Sequence, residues 1–136
     1  MLFSMKTEYA LRALFELSGQ EKNIPLKRQE ISKRQSIPIH FLEQILIELK
    51  KSGLITSIKG PGGGYILNKE IQDLNLWDIY RSVDYKEYEG TKCFPGLSQE
   101  CEHLKLCQIK KTWFSINQAI QHTLSQMTMK TILGDL

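Results

Sequence analysis

The 136-residue sequence predicts a mainly α-helical fold with a small β-hairpin wing, that is, a winged helix-turn-helix followed by a long C-terminal dimerisation helix. Three observations predict it. Two short helical patterns stand close together, a glycine-rich turn between two β-type runs follows them, and an apolar stripe at helical spacing occupies the C-terminal quarter. The expected organisation is a winged helix-turn-helix domain over residues 1–84, a cysteine-bearing segment over 85–108, and the long helix with its tail over 109–136.

The first helical pattern lies near the amino terminus and ends at Gly19. Charged residues interrupt it at close intervals, so the stretch is expected to be neither a signal peptide nor a membrane span. A cytoplasmic location without a membrane partner is the expectation that follows. The apolar positions recur at the spacing of one buried helix face: Tyr9, Ala10, Ala13, Leu14 and Leu17.

Two further helices are predicted with a short joint between them. The shorter covers roughly Lys27 to Arg34. The longer begins near Pro38, because proline is favoured in the first turn of a helix, and it ends at Gly53. Two short helices joined by a few residues form a helix-turn-helix. The apolar face of the longer helix is formed by Phe41, Leu42, Ile45, Leu46 and Leu49.

A β-hairpin is predicted directly after these helices, from "LITSI", "KGPGGG" and "YIL". The glycines do not form a phosphate-binding loop, since no Gly-Lys-Ser/Thr is present and no helix follows to hold a phosphate. Their role is conformational, giving a thin tip that can approach a DNA groove. The tip consists of Lys59, Gly60, Pro61, Gly62 and Gly63.

Two more helices complete the prediction. Asn75 is expected to cap a short helix, "LWDIYRSVD", and a looser segment follows it. The segment "IKKTWFSINQAIQHTLSQMTMKTIL" is predicted to form one long helix with an apolar stripe. A domain this small has too little chain of its own to cover the stripe, so a helix of a second subunit would cover it as a dimer seam. Packing of this helix back on its own domain is the alternative. The stripe consists of Trp113, Ile116, Ile120, Leu124 and Met127.

Basic residues are concentrated in the N-terminal half of the chain. Residues 1–70 carry eleven Lys/Arg against seven Asp/Glu, or +4, whereas residues 71–136 carry seven against eight, or −1. This asymmetry is typical of a nucleic-acid surface, although a solvated basic face has the same composition. The candidate phosphate contacts, which would set affinity without encoding sequence, are Lys27, Arg28, Lys33, Arg34, Lys50 and Lys51.

The motifs "FLEQIL", "GLITSIKGPGGGYIL" and the helix end "SVD" resemble the Rrf2-type family of bacterial winged-helix transcription regulators, over nearly the whole chain. The resemblance implies a homodimer that binds a palindromic site in double-stranded DNA, with the recognition helix in the major groove and the wing near the minor groove. It assigns base reading to Glu43 and Gln44 and minor-groove probing to Lys59, where relatives commonly carry arginine. Pro38 and His40 differ from the small or hydroxylic residues of relatives, so the preferred DNA sequence is expected to differ too.

All three cysteines of the chain, Cys93, Cys101 and Cys107, lie between the last two predicted helices. An odd number cannot pair fully within one chain, and clustered cysteines in a reducing compartment are more often ligands or sensors than disulfides. In the IscR- and NsrR-like branch of the family, three cysteines at this place hold an iron–sulfur cluster. The resemblance therefore implies such a cluster here, with a 2Fe–2S form favoured over 4Fe–4S.

Two departures from that branch concern the ligands. The first cysteine gap holds seven residues rather than the usual five, and Lys110 replaces a ligating histidine. Because a protonated lysine is a poor metal ligand, the fourth ligand is sought elsewhere. Glu8 of the partner subunit is the first candidate, since some relatives use a carboxylate of the first helix. His103 and Glu102 are the next, and an exogenous thiol or water is a further alternative.

Other functions for the cysteines remain open. Zinc accepts three Cys and one His, a thiol switch would use a cation such as Lys92 or Lys105, and inert buried cysteines need no ligand. Regulation by a docked protein partner, as in the branch without these cysteines, is a further alternative. No nucleophile–base pair and no phosphate cradle point to an enzyme. The expectation is a non-enzymatic, dimeric regulator, and the resemblance implies that it senses iron–sulfur, redox or nitric oxide status.

Overall fold

The computed structural model describes residues 3–84 and 108–134. Within these ranges, helices and two strands follow one another in the predicted order, and no helix there is long and apolar enough to cross a bilayer. The elements are α1 (Met5–Ser18), α2 (Arg28–Gln35), α3 (Ile39–Lys51), β1 (Ile55–Ile58), β2 (Gly64–Leu67), α4 (Leu76–Val83), α5 (Gln108–Ser125) and α6 (Met129–Gly134).

The hydrophobic core lies where α1, α3 and α4 pack on one another. The apolar stripe predicted for α1 is confirmed, since Ala10, Ala13 and Leu14 are fully buried. On α3 the predicted face is also buried, with Leu42 and Leu46 both inaccessible to solvent. Burying each leucine contributes about 1.5–3 kcal/mol to folding. This core fixes the orientation of α3 about its own axis.

Phe41 is the exception on that face. It was expected in the core but remains 43 % exposed. Its ring packs edge-to-face on Tyr9 of α1, with 5.7 Å between the ring centroids. Phe41 lies at the edge of the apolar face of α3, so its ring packs against the side of α1 and does not enter the core.

A tight joint connects α2 and α3, as predicted, without a glycine. Ser36 ends α2 in the left-handed conformation, with φ 53° and ψ 41°. The Ser32 hydroxyl donates to the Ile37 carbonyl at 2.6 Å, which holds the turn closed. Both helices begin one residue later than the sequence pattern suggests, because Lys27 and Pro38 are extended capping residues.

The predicted hairpin is present, and β1 pairs antiparallel with β2 in a register that sets Ile55 opposite Leu67. A second contact anchors it to the helices. Leu26 and Tyr65 exchange two backbone hydrogen bonds, of 3.0 and 2.9 Å. The base of the wing is therefore fixed against the residue that precedes Lys27 and α2.

The C-terminal helix is interrupted, where one continuous helix was expected. α5 ends at Ser125, and Thr128 caps α6 by accepting a hydrogen bond from the Thr131 N–H at 3.2 Å. Between the two helices the backbone pairs with the start of α4, since Asn75 forms a bridge with Thr128 and the Leu76 N–H donates to the Met127 carbonyl at 2.8 Å. These inter-segment hydrogen bonds replace those that a continuous helix would have made.

A buried carboxylate joins the two ends of the domain. Asp84, the C-cap of α4, is 1 % exposed. It accepts hydrogen bonds from the Ser4 N–H at 3.1 Å, the Ser4 hydroxyl and the Thr7 hydroxyl. Since Ser4 is the N-cap of α1, this cluster fixes the start of α1 beside the end of α4.

Replacing Asp84 is expected to destabilise the fold. Asp84→Ala leaves buried donors of Ser4 and Thr7 without an acceptor, so the free energy of unfolding should fall by about 2–3 kcal/mol. Asp73, which is exposed, provides the matched control, and Asp73→Ala should change stability by less than about 0.5 kcal/mol. Urea unfolding at one fixed protein concentration measures both. Equal stabilities of the two variants would contradict the role given to this cluster.

Candidate nucleic-acid interface

The face of α3 opposite the core is exposed, and polar except at Ile47. The buried residues of α3 point inward, so the residues on the other side of the helix project outward. Four of these are spaced three or four positions apart and form one stripe. They are His40, Gln44, Ile47 and Lys51. Pro38 is exposed just before the helix begins. The predicted base-reading position Gln44 therefore lies in the middle of an accessible helix face, as entry into a major groove requires.

Glu43 lies at the edge of this face and is ion-paired. Arg28 Nη1 of α2 is 3.2 Å from Glu43 Oε1, and His40 Nδ1 is 3.8 Å from Glu43 Oε2. The pair brings the first residue of α2 against the second turn of α3. Two residues that the sequence assigned separately, one to phosphates and one to bases, thus form a single unit.

The wing lies next to this unit through the chain that leads into α2. Leu26 is paired with Tyr65 of β2, Lys27 is exposed, and Arg28 contacts α3. The chain at the start of α2 thus contacts the base of the wing through Leu26 and the first half of α3 through Arg28. Lys59 and most of the tip, Gly60, Pro61 and Gly62, are exposed.

The six predicted phosphate contacts are all exposed, but they differ in their partners. Arg28 and Arg34 are ion-paired, Arg34 with Glu16 at 3.4 Å and with Glu30 at 3.5 Å. No acidic side chain in residues 3–84 and 108–134 pairs with the other four or with Lys59, so their ammonium groups are available to phosphates. The four are Lys27, Lys33, Lys50 and Lys51.

Ile47 is a candidate contact that the sequence reasoning missed. It is 44 % exposed on the outer face of α3, between Gln44 and Lys51. An apolar side chain at such a position can contact the methyl group of thymine. The signal was available, because Ile47 is the apolar residue of α3 that does not fit the register of Leu42, Ile45 and Leu49.

A groove of about 340 Å³ lies beside α3 and is lined by three elements of the core. Val83 of α4 is one wall, and it directly precedes Asp84, the last described residue before the cysteines. Thus α3 and the end of α4 line the same groove, next to the point where the cysteine-bearing segment begins. The lining residues are Lys6, His40, Phe41, Gln44, Ile45, Glu48 and Val83.

Most of the predicted metal ligands, Cys93, Cys101, Cys107 and His103, lie outside the described residues. Within residues 3–84 and 108–134 no group of three or more His, Cys, Asp or Glu is placed to hold a metal ion. Glu8 is described, on the exposed side of α1, where its carboxylate pairs with Arg12 at 2.5 Å. Its exposure leaves it accessible to another chain.

The apolar stripe of the C-terminal region is divided. Leu124 is buried against Trp77 and Tyr80 of its own chain, with Ile120 packed at the edge. The alternative of packing on its own domain therefore applies to this end of α5. Met127 lies beyond the helix, since α5 ends at Ser125. At the other end, four apolar side chains are exposed by 39–59 %: Ile109, Trp113, Phe114 and Ile116.

The described residues form a helix-turn-helix with an exposed outer face, a wing anchored beside it and unpaired lysines around it. These features define a winged-helix DNA-binding protein. The comparison with known families agrees. Residues 3–135 match the family Rrf2, described as iron-dependent transcriptional regulators. The chain belongs to the Rrf2 family. Members of this family are DNA-binding transcriptional regulators and not enzymes, so the expectation of a non-enzymatic regulator is confirmed.

Three individual proteins illustrate the similarity. The regulator IscR of Vibrio atlanticus is 30 % identical over 135 residues, which is 99 % of this chain and 76 % of that protein. The structure of CymR, the global cysteine regulator of B. subtilis, is similar with a TM-score of 0.73 and 25 % identity, covering 98 % and 97 % of the two chains. IscR of T. potens gives a TM-score of 0.72 and 28 % identity, covering 98 % and 86 %.

Neighbouring glycines of the wing should differ in their tolerance to substitution. A Cβ on Gly63 would lie 2.1 Å from the Ile58 carbonyl oxygen, whereas one on Gly62 would meet nothing within 4 Å. Gly63→Ala should therefore distort the hairpin, lowering stability by about 1–3 kcal/mol, while Gly62→Ala should leave it nearly unchanged. Thermal unfolding of the two variants tests this. Equal melting temperatures for Gly62→Ala and Gly63→Ala would show that the tip is not built as described.

Proposed function

We propose that this Rrf2-family regulator is a homodimer that reads a palindromic DNA site and uses its three cysteines to hold an iron–sulfur cluster. The observation that carries the DNA-binding part is the combination of an outward polar face on α3 with a wing anchored next to it through Leu26 and Tyr65. The proposed signal is iron–sulfur, redox or nitric oxide status. The place of action is proposed to be the cytoplasm, where cysteines stay reduced.

The division of labour on DNA follows from the chemistry of the exposed residues. Gln44 can donate to and accept from the edge of adenine, and Glu43 can accept a hydrogen bond from the cytosine amine. Ile47, which lies between Gln44 and Lys51 on the same face, can contact the methyl group of thymine. The unpaired lysines bind phosphates and so set affinity and salt dependence without selecting sequence. Lys59 carries a positive charge toward the minor groove.

The donor set fits an iron–sulfur cluster, because three thiolates are the soft ligands that such clusters use. Cys93, Cys101 and Cys107 would hold it, with Glu8 of the partner subunit or His103 completing the set. When bound, the cluster supplies a group that responds to oxidants and nitric oxide. Such a change would reach the DNA through the end of α4, because Val83, which directly precedes Asp84, lines the same groove as α3.

The homodimer is supported by the exposed end of α5. Trp113 and Ile116, both in the predicted seam, are about 40 % exposed, and Ile109 and Phe114 extend the apolar patch. Several exposed apolar side chains on one helix segment are typical of a protein–protein interface. Dimerisation would also supply the second half-site reader that a palindrome requires and bring Glu8 of one subunit toward the other.

A second candidate function is regulation through thiols, zinc or a protein partner, with no cluster. The similarity to CymR, named as a global cysteine regulator, favours it. The longer first cysteine gap and Lys110 favour it as well, because both depart from the cluster-binding pattern. The same winged helix would then read DNA under a different signal.

Base reading by Gln44 is testable with matched glutamine variants. Once the preferred site is selected from a random DNA library, Gln44→Ala should weaken binding to it by about 1–3 kcal/mol and relax the preference at one base pair per half-site. Gln72→Ala, at an exposed position before α4, should leave binding unchanged. Fluorescence anisotropy at several salt concentrations measures both. Failure of the wild-type protein to select any DNA sequence would refute the proposed function.

The cluster is testable by anaerobic purification, visible absorption, and assays for iron, sulfide and zinc. Wild-type protein should show visible absorption with sulfide present. Cys93→Ala should lose both, whereas Ser98→Ala in the same segment should keep them. If Glu8 is a ligand, Glu8→Ala should shift the spectrum and Glu21→Ala should not. A colourless wild-type protein without iron or sulfide after reconstitution would instead support the second candidate function.

A further inference from the structure

The carboxylate of Glu43 is held between two cationic or ionisable side chains. Arg28 Nη1 contacts one carboxylate oxygen at 3.2 Å, and His40 Nδ1 lies 3.8 Å from the other. The side chain of Glu43 is 30 % exposed, against 45 % for Arg28 and 94 % for His40. Arg28 is thus the closer partner, and it comes from a different helix.

A carboxylate on a recognition helix meets a physical difficulty in the groove. Both walls of the groove carry phosphates, so an unpaired negative charge is repelled whatever the DNA sequence. A freely rotating glutamate would also lose side-chain entropy on binding one base. Arg28 offsets the charge of Glu43 and restricts its rotation before DNA is bound.

The hydrogen-bonding capacity of the two groups allows all these contacts at once. A guanidinium has five N–H donors, and contact with Glu43 Oε1 leaves the others available for a phosphate. A carboxylate has about four acceptor sites, so Glu43 Oε2 can still accept from a cytosine amine. Arg28 can therefore stay on Glu43 in the complex and does not have to release it.

We propose that Arg28 is a specificity-determining residue of the DNA interface, acting by holding Glu43 toward the base pair that this carboxylate reads. The proposal rests on the proposed function, since it requires that α3 reads DNA. It differs from the simpler role of a phosphate contact in one measurable respect. A phosphate contact changes affinity equally for every DNA sequence, whereas a residue that positions Glu43 changes the preference at the base pair read by Glu43.

Arg34 offers a matched control for Arg28. It is on the same helix, has the same side-chain exposure of 45 %, and is also ion-paired. Its partners are Glu16 of α1 and Glu30 of α2, neither of which belongs to the recognition helix. Exposed ion pairs contribute little to stability, so Arg28→Gln and Arg34→Gln should both fold, which circular dichroism checks.

The experiment compares base preferences of the full-length protein at every position of its selected site. Glu43→Gln first locates the base pair read by Glu43. Arg28→Gln should then reduce the preference at that same base pair by about fivefold or more, and Arg34→Gln should lower affinity for all sites by one common factor. In a Glu43→Gln background, adding Arg28→Gln should cause no further change in base preference, because the charge to be positioned is gone.

The outcomes separate the inference from the function on which it rests. Relaxed preference at the Glu43 base pair with Arg28→Gln, absent with Arg34→Gln, is the expected result. A uniform loss of affinity with Arg28→Gln, and unchanged preference at that base pair, would reduce Arg28 to a phosphate contact and overturn the inference while the proposed function stands. Absence of any sequence preference in the wild-type protein would overturn both.

Discussion

The burial of one face of α3 is the constraint on which the rest of the structure depends. Leu42, Leu46 and their neighbours are enclosed by α1 and α4, so the helix cannot rotate without exposing them to water. Each fully buried leucine contributes about 1.5–3 kcal/mol, which is large compared with a typical net stability of 5–15 kcal/mol. The opposite face is therefore held outward, and the residues proposed to read bases are presented by the packing of residues that never touch DNA.

Two polar contacts complete this arrangement at its edges. Asp84 joins the start of α1 to the end of α4, and so fixes the two helices that enclose α3, at the point where the cysteine-bearing segment begins. Arg28 joins α2 to Glu43 on the outer side of α3. The first contact is buried and acts on stability, while the second is exposed and contributes little to it. In the proposed function, a signal at the cysteines would reach α3 through the end of α4 that Asp84 holds. It would then change DNA binding next to the pair of Arg28 and Glu43.

The separate behaviour of the two ends of α5 has a simple physical origin. Leu124 lies where α5 passes α4, and Trp77 and Tyr80 are available there to bury it. Trp113 lies eleven residues earlier, roughly 16 Å along the helix, and its part of α5 keeps an exposed apolar patch. A single stripe in the sequence thus serves two surfaces, one within the chain and one proposed for a second subunit. Periodicity identifies an apolar face but does not say which chain covers it.

The sequence by itself determined the order and type of the elements up to α4, the caps at Gly19 and Asn75, the wing, and the family, because these depend on local periodicity, turn chemistry and motif spacing. The tertiary structure alone decided the break after Ser125, where hydrogen bonds to the segment before α4 replace helical ones, and the exposure of Phe41 and Ile47, which depends on how far the core extends. It also decided the pairing of Arg28 with Glu43, since two residues fifteen positions apart on different helices meet only after those helices pack.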